Sequence, residues 1–156
     1  MPSDSIVFVD TSVLLYAEDA AHATKHQAAR DWLRALWVRR SGRLSAQVLN
    51  EFYVNATRKL KPPMPSGDAR AEVRRYQRWQ PWLNDHATVE AAWAAESRFQ
   101  LNYRDALMVA AAQQQGCTIL LTEDLQHDRQ LDSLRIVNPF LEGPELLDSA
   151  GAANKP

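Results

Sequence analysis

Two short apolar runs, each closed by an acidic residue, limit what this chain can fold into. Ile6-Val7-Phe8-Val9 is continuous, β-branched and aromatic, and Asp10 follows it directly. Thr118-Ile119-Leu120-Leu121-Thr122 repeats the pattern, with Asp124 two residues further on. Runs this short, with no polar alternation, predict strands buried on both faces, as in a parallel sheet. A third strand is predicted at Leu134-Arg135-Ile136-Val137, before Asn138-Pro139. The segments between them carry helical periodicity, so strands alternating with helices imply an α/β architecture around a mostly parallel sheet.

The helical segments can be placed from spacing. Val13 to Tyr16 starts a helix after Thr11 and Ser12, with a hydroxyl or Asp as its cap. Ala23 to Arg39 carries Ala28, Ala29, Trp32, Leu33 and Leu36 on one side, and Ser41-Gly42 is expected to break it. Arg43 to Ala46 admits a brief strand. From Gln47, Leu49, Phe52, Tyr53, Ala56 and Leu60 recur at helical spacing, and the prolines at 62, 63 and 65 end that helix. Ser66 caps a helix reaching about Trp79. Two more are expected at Thr88–Gln100 and Asp105–Gln115, the latter closed by Gly116.

At 156 residues the chain suits one domain, here assigned to residues 1–148, with a disordered tail over 149–156. No stretch approaches the roughly 20 apolar residues of a membrane span. Met1-Pro2-Ser3-Asp4-Ser5 lacks the basic start of a secretory signal. Cys117 is the only cysteine; it excludes an intrachain disulfide, reads as a buried structural thiol, and suits the cytoplasm.

The net charge of -1 hides a division. Residues 30 to 78 hold twelve Lys or Arg against four acids, a local charge of +8, while the remainder carries -9. Such asymmetry fits a basic surface that meets phosphates beside an acidic region that cannot bind them unaided.

Four acids stand out, each with an ordinary alternative. Asp10 and Asp124 follow strands, where parallel sheets bind ligands, but Asp is also a favoured turn or cap residue there. Glu51 shares a helix stripe with Gln47, Asn55 and Arg58, which is also how a solvent face reads. Asp105 heads a run of small residues, where capping alone would explain it; the alanines would let that helix pack close to the sheet.

Taken together, these segments resemble a known family. Val7-Phe8-Val9-Asp10-Thr11-Ser12, Ser45-Ala46-Gln47-Val48-Leu49-Asn50-Glu51-Phe52, Arg104-Asp105-Ala106-Leu107 and Leu120-Leu121-Thr122-Glu123-Asp124 look like the motifs of PIN domains, in family order. The VapC-type toxins of bacterial toxin–antitoxin pairs are the most similar branch, and Asn138-Pro139-Phe140 resembles their ending. The resemblance spans Ile6 to Phe140. It implies a PIN-like α/β/α sandwich with a short, mostly parallel central sheet surrounded by helices. It further implies an endoribonuclease in which Asp10, Glu51, Asp105 and Asp124 hold Mg²⁺ or Mn²⁺. Thr11 or Ser12 and Thr122 match the neighbouring hydroxyl positions. RNA is the implied substrate, a VapB-like antitoxin the implied partner, and a homodimer the implied assembly.

Two positions depart from the family pattern. Arg104 stands where an aromatic is common, and Asp128 where glycine is common; Asp128 would add an outer acid to the site. Oxygen ligands suit Mg²⁺, and clustered carboxylates without metal should leave at least one protonated. Arg34, Arg39, Arg40, Arg43, Arg74, Arg75 and Arg78 are candidates for RNA phosphates. The five tryptophans read as core or interface residues rather than base platforms. His22 and His26 have the spacing of a metal pair but no third ligand, so solvent exposure is expected.

A haloacid-dehalogenase-like phosphatase requires a second Asp where Ser12 stands. A response regulator requires a late lysine, and Lys155 is the only lysine after Lys61. The remaining alternatives are a non-catalytic RNA-binding or antitoxin-sequestering module on the same fold, and another metal-dependent phosphohydrolase.

Overall fold

A computed structural model describes residues 5–148; the expected tail over 149–156 lies outside the described residues. Five strands form one sheet: β1 (Val7–Val9), β2 (Gly42–Arg43), β3 (Ile119–Leu121), β4 (Gln130–Leu131) and β5 (Leu134–Val137). Their spatial order is β2-β1-β3-β5-β4. The first three neighbour pairs are parallel and β4 alone runs antiparallel, against β5. Helices flank the sheet. β1 and β3 are buried at every residue, as their unbroken apolar runs require.

Six helices connect the strands: α1 (Thr11–Tyr16), α2 (Ala23–Arg39), α3 (Ala46–Arg58), α4 (Ser66–Arg75), α5 (His86–Phe99) and α6 (Tyr103–Gln114). α2 has the bounds predicted for it. The expected helix to Trp79 divides instead into α4 and a 3-10 turn, Tyr76–Trp79. Among the described residues no helix is long and apolar enough to cross a membrane.

The end of α2 has a different cause from the one anticipated. Arg40, not glycine, adopts the left-handed conformation (φ 56°), and its backbone N–H satisfies the carbonyl of Trp37. Gly42 has another task. A Cβ there would lie 2.6 Å from Trp79 Cζ2 and Cζ3. Trp79 is buried and packed against Trp37 and Tyr76 at ring-centroid distances of 5.0 and 4.8 Å, so the ring cannot shift without disturbing that aromatic cluster. Gly42→Ala is therefore expected to destabilise the fold by about 1–3 kcal/mol through overpacking. A thermal melt equal to that of the wild type would disprove the contact's importance.

The alanines of α6 also pack against a second helix. Ala106, Ala110, Ala111 and Ala112 are fully buried, and the most extensive helix–helix contact is between α6 and α5, which offers Ala92 and Ala95. Small residues thus stand on both helices of that pair. Cys117 is buried as anticipated, and burial pushes its thiol up to about 12, which leaves it unreactive at neutral pH. Trp32 and Trp79 are core residues; Trp93, 49% exposed, is not.

Candidate active site

β1 delivers Asp10 to the carboxyl end of the sheet, where the Asp10 backbone N–H still reaches Leu121 O (3.1 Å). The side chain caps α1 through the Thr11 backbone N–H (2.6 Å). Its other oxygen accepts from the hydroxyls of Thr122 (2.8 Å) and Ser12 (3.3 Å). The carboxylate is thus buried yet multiply bonded. Asp10 is 1% exposed.

Glu51 projects from the second turn of α3, whose buried face (Val48, Leu49, Phe52, Ala56) points elsewhere. The Thr11 hydroxyl donates to Glu51 Oε1 at 2.9 Å and the Gln47 amide to Oε2 at 3.3 Å. The stripe at Gln47 and Glu51 is therefore part of a site rather than a solvent face. Asp105 lies in the first turn of α6 but does not cap it: Asn102 takes that role, accepting from Asp105 N (2.8 Å). Relieved of capping, the Asp105 carboxylate turns inward, steadied by the Asn102 amide at 3.0 Å. Beyond β3, the Thr122 hydroxyl accepts from Asp124 N (3.1 Å) and fixes the turn that presents Asp124.

One side chain joins all four acids. Arg104 Nη2 donates to Asp10 Oδ1 (3.3 Å) and Glu51 Oε1 (2.7 Å), while Nη1 donates to Asp105 Oδ1 (3.1 Å). Nη1 also lies 4.0 Å from Asp124 Oδ2. Four carboxylates from four separate segments converge within reach of one guanidinium. Asp10, Glu51, Asp105 and Asp124 are brought together, and the hydroxyls of Thr11, Ser12 and Thr122 contact them or their backbone.

Burial pushes the Asp10 carboxyl up to about 6; the Thr122 hydroxyl and the Arg104 charge pull the other way, and Asp124 adds a smaller upward push. Burial likewise raises Asp105, against the pull of Arg104. Desolvation rather than mutual repulsion is thus the leading cause, because Arg104 supplies a positive charge among the acids. The expectation that a proton must be retained took no account of that charge.

Asp128 does not join the site. Its carboxylate accepts from Arg135 Nε at 2.9 Å, with His127 Nε2 3.4 Å away, and neither a hydrogen bond nor an ion pair links it to the four acids. Its φ of +68° explains why glycine suits this position: the backbone is left-handed there. His127, Asp128 and Glu142 place possible ligand atoms within 4.8 Å of one another, but two features oppose a metal. Arg135 pairs with both carboxylates. His127 Nδ1 accepts from Asn138 N (3.0 Å), which leaves the proton of a neutral ring on Nε2, the atom a metal would need. His22 is exposed, but His26 is half-buried; they turn to Asp19 and to Tyr16 O respectively, so they do not form a pair.

The basic segment divides. Arg34 pairs with Asp31, Arg39 with Asp148, and Arg75 with Glu72 while lying over the rings of Trp37 and Tyr76. Arg40, Arg43 and Arg78 gather with Trp79 and Gln80 around a cleft of about 550 Å³. Gly42 of that cleft pairs with Val7 at the start of β1, whereas Asp10 lies three residues on, roughly 10 Å at strand rise. These arginines flank the opposite end of the strand from the acids.

A mostly parallel α/β sheet with acids at its carboxyl edge is compatible with a nuclease-type hydrolase, and the family match carries that assignment. The sequence profile described as PIN domain matches residues 7–130, and the chain belongs to that family, whose nucleases act on RNA and generally use divalent metal ions. No curated protein matches the chain. β5, an interior strand between β3 and β4, lies beyond the matched stretch, so the fold extends past it. The donor set fits such an ion: it is all oxygen, and it already surrounds a cation.

Proposed function

We propose that this protein is a metal-dependent endoribonuclease, a single catalytic domain over residues 1–148 acting in the cytoplasm as the VapC-type toxin of a toxin–antitoxin pair. The observation that carries the catalytic reading is the convergence of Asp10, Glu51, Asp105 and Asp124 on one cation-sized position. The toxin reading rests on the likeness of the motifs and of Asn138-Pro139-Phe140, which brings with it a VapB-like antitoxin and a homodimer.

Asp10 and Asp105 are the principal ligands for Mg²⁺ or Mn²⁺, with Glu51 and Asp124 completing the set. When bound, the ion supplies positive charge to the phosphodiester and lowers the pKa of a water. The chain's own groups do the rest. Thr122 and Ser12 hold Asp10 in a fixed rotamer by donating to Oδ2, and Thr11 and Gln47 aim Glu51. Arg40, Arg43 and Arg78 are the RNA-phosphate contacts best placed to act together, and they would give binding a salt dependence.

Incubation of a mixed single-stranded RNA with the purified protein tests this reading, using Mg²⁺ or Mn²⁺, EDTA, and the Asp105→Asn variant. Cleavage is expected only with metal and only in the wild type. RNA bound intact by both proteins, with or without EDTA, would instead mark a binding module.

A further inference from the structure

The inward-facing oxygens of the site share one partner. Asp10 Oδ1, Glu51 Oε1, Asp105 Oδ1 and Asp124 Oδ2 all face the Arg104 guanidinium. Two of them also accept from Thr11, Asp10 Oδ1 from its backbone N–H and Glu51 Oε1 from its hydroxyl. The outward oxygens have neutral donors alone: Thr122 and Ser12 on Asp10, Gln47 on Glu51, Asn102 on Asp105. The cluster is therefore divided into an outer shell that fixes the carboxylates and an inner space filled by a cation covalently part of the chain.

We propose that Arg104 is a resident counter-cation that occupies the metal's place in the empty site and must withdraw when a divalent ion binds. This rests on the metal-dependent reading above. A guanidinium and a divalent ion cannot both take the same four oxygens: both are positive, and both need van der Waals room in one gap. Arg104 is also able to leave. Its side chain is 41% exposed, and it stands at the first turn of α6, so rotation about its own torsions carries the guanidinium to solvent without unpacking the core. Tethered beside Asp105, the withdrawn guanidinium stays at the rim, where its planar fork suits a phosphate. Metal binding is thus an exchange of cations, and the affinity observed is the ligands' own affinity reduced by the strength of the Arg104 interactions.

Mn²⁺ binding to the whole protein, followed by the electron paramagnetic resonance signal of free Mn²⁺, tests the exchange without reference to RNA cleavage. Arg104→Ala and Arg104→Met are expected to bind Mn²⁺ tighter than the wild type by on the order of tenfold or more, the equivalent of about 1.4 kcal/mol. In EDTA both variants should melt below the wild type, and Mn²⁺ should restore them by a larger increment. Arg104→Lys keeps the charge but not the fork; it folds if the larger changes do not, and should fall between. Equal or weaker Mn²⁺ binding by the variants, with clear binding by the wild type, would overturn the exchange and leave the metal-dependent reading intact. No binding by any of them would overturn both.

Discussion

Asp10→Asn is expected to lower metal-dependent RNA cleavage on the order of 10²–10³-fold or more, the range seen when one preorganised electrostatic group is lost, and to make the metal-free protein more stable. The second effect follows from burial. Asp10 is 1% exposed and its carboxyl is pushed up to about 6, from an ordinary 3.8. A group whose folded pKa is raised binds its proton more tightly in the native state. Its contribution to stability is therefore complete below about pH 4 and is lost as pH rises through about 6. Above that, the ionised carboxylate costs the fold about 2–3 kcal/mol. Asparagine is neutral and fits the same bonds: its oxygen accepts from Thr11 N, and the Ser12 and Thr122 hydroxyls can rotate to accept from its amide. Melting in EDTA should thus show the variant above the wild type at pH 8, with the gap closing by pH 4. A variant that melts lower at pH 8 would mean that Arg104 already compensates the buried charge in full.

A second large effect is expected far from the acids. Trp32 on α2 is completely buried, and its indole N–H donates to Glu142 O at 2.9 Å. Trp32→Ala removes the ring and leaves a cavity and an unpaired carbonyl, a loss of about 3–5 kcal/mol. Since whole domains are stable by only about 5–15 kcal/mol, the variant should be partly unfolded at physiological temperature. Trp32→Phe keeps most of the packing and loses chiefly the hydrogen bond, about 1 kcal/mol. Chemical denaturation distinguishes the two. Similar midpoints for the two variants would show that the core around α2 closes over the missing ring.

What the sequence made legible was mostly local or periodic. β1 and β3 could be read because three apolar residues in a row have little other use, and α2 because its apolar residues keep helical spacing. The four acids were found as a set, since their motifs stand in family order. The features that escaped depend on distant partners. Arg104 was visible only as an unusual neighbour of Asp105, yet it bonds to Glu51, 53 positions away, and to Asp10, 94 positions away. β4 is two residues long and exists only because β5 pairs with it. Asn102 precedes the predicted start of α6, so its capping role, and the freedom it gives Asp105, was hidden by a boundary set two residues late. Asp128 was placed near the site by sequence proximity to Asp124, but Arg135 draws it away.

The strand order β2-β1-β3-β5-β4 also bears on synthesis. β1 leaves the ribosome well before its neighbour β3 and the turn bearing Asp124, with all six helices and β2 in between. β5, which closes the other side of β3, comes later still. A nascent chain therefore carries Asp10 and Glu51 before the remaining acids or a finished sheet exist. A chain that stops before β3 lacks both Asp124 and the strand whose Leu121 O holds the Asp10 backbone, so the four acids assemble only once β3 has been made.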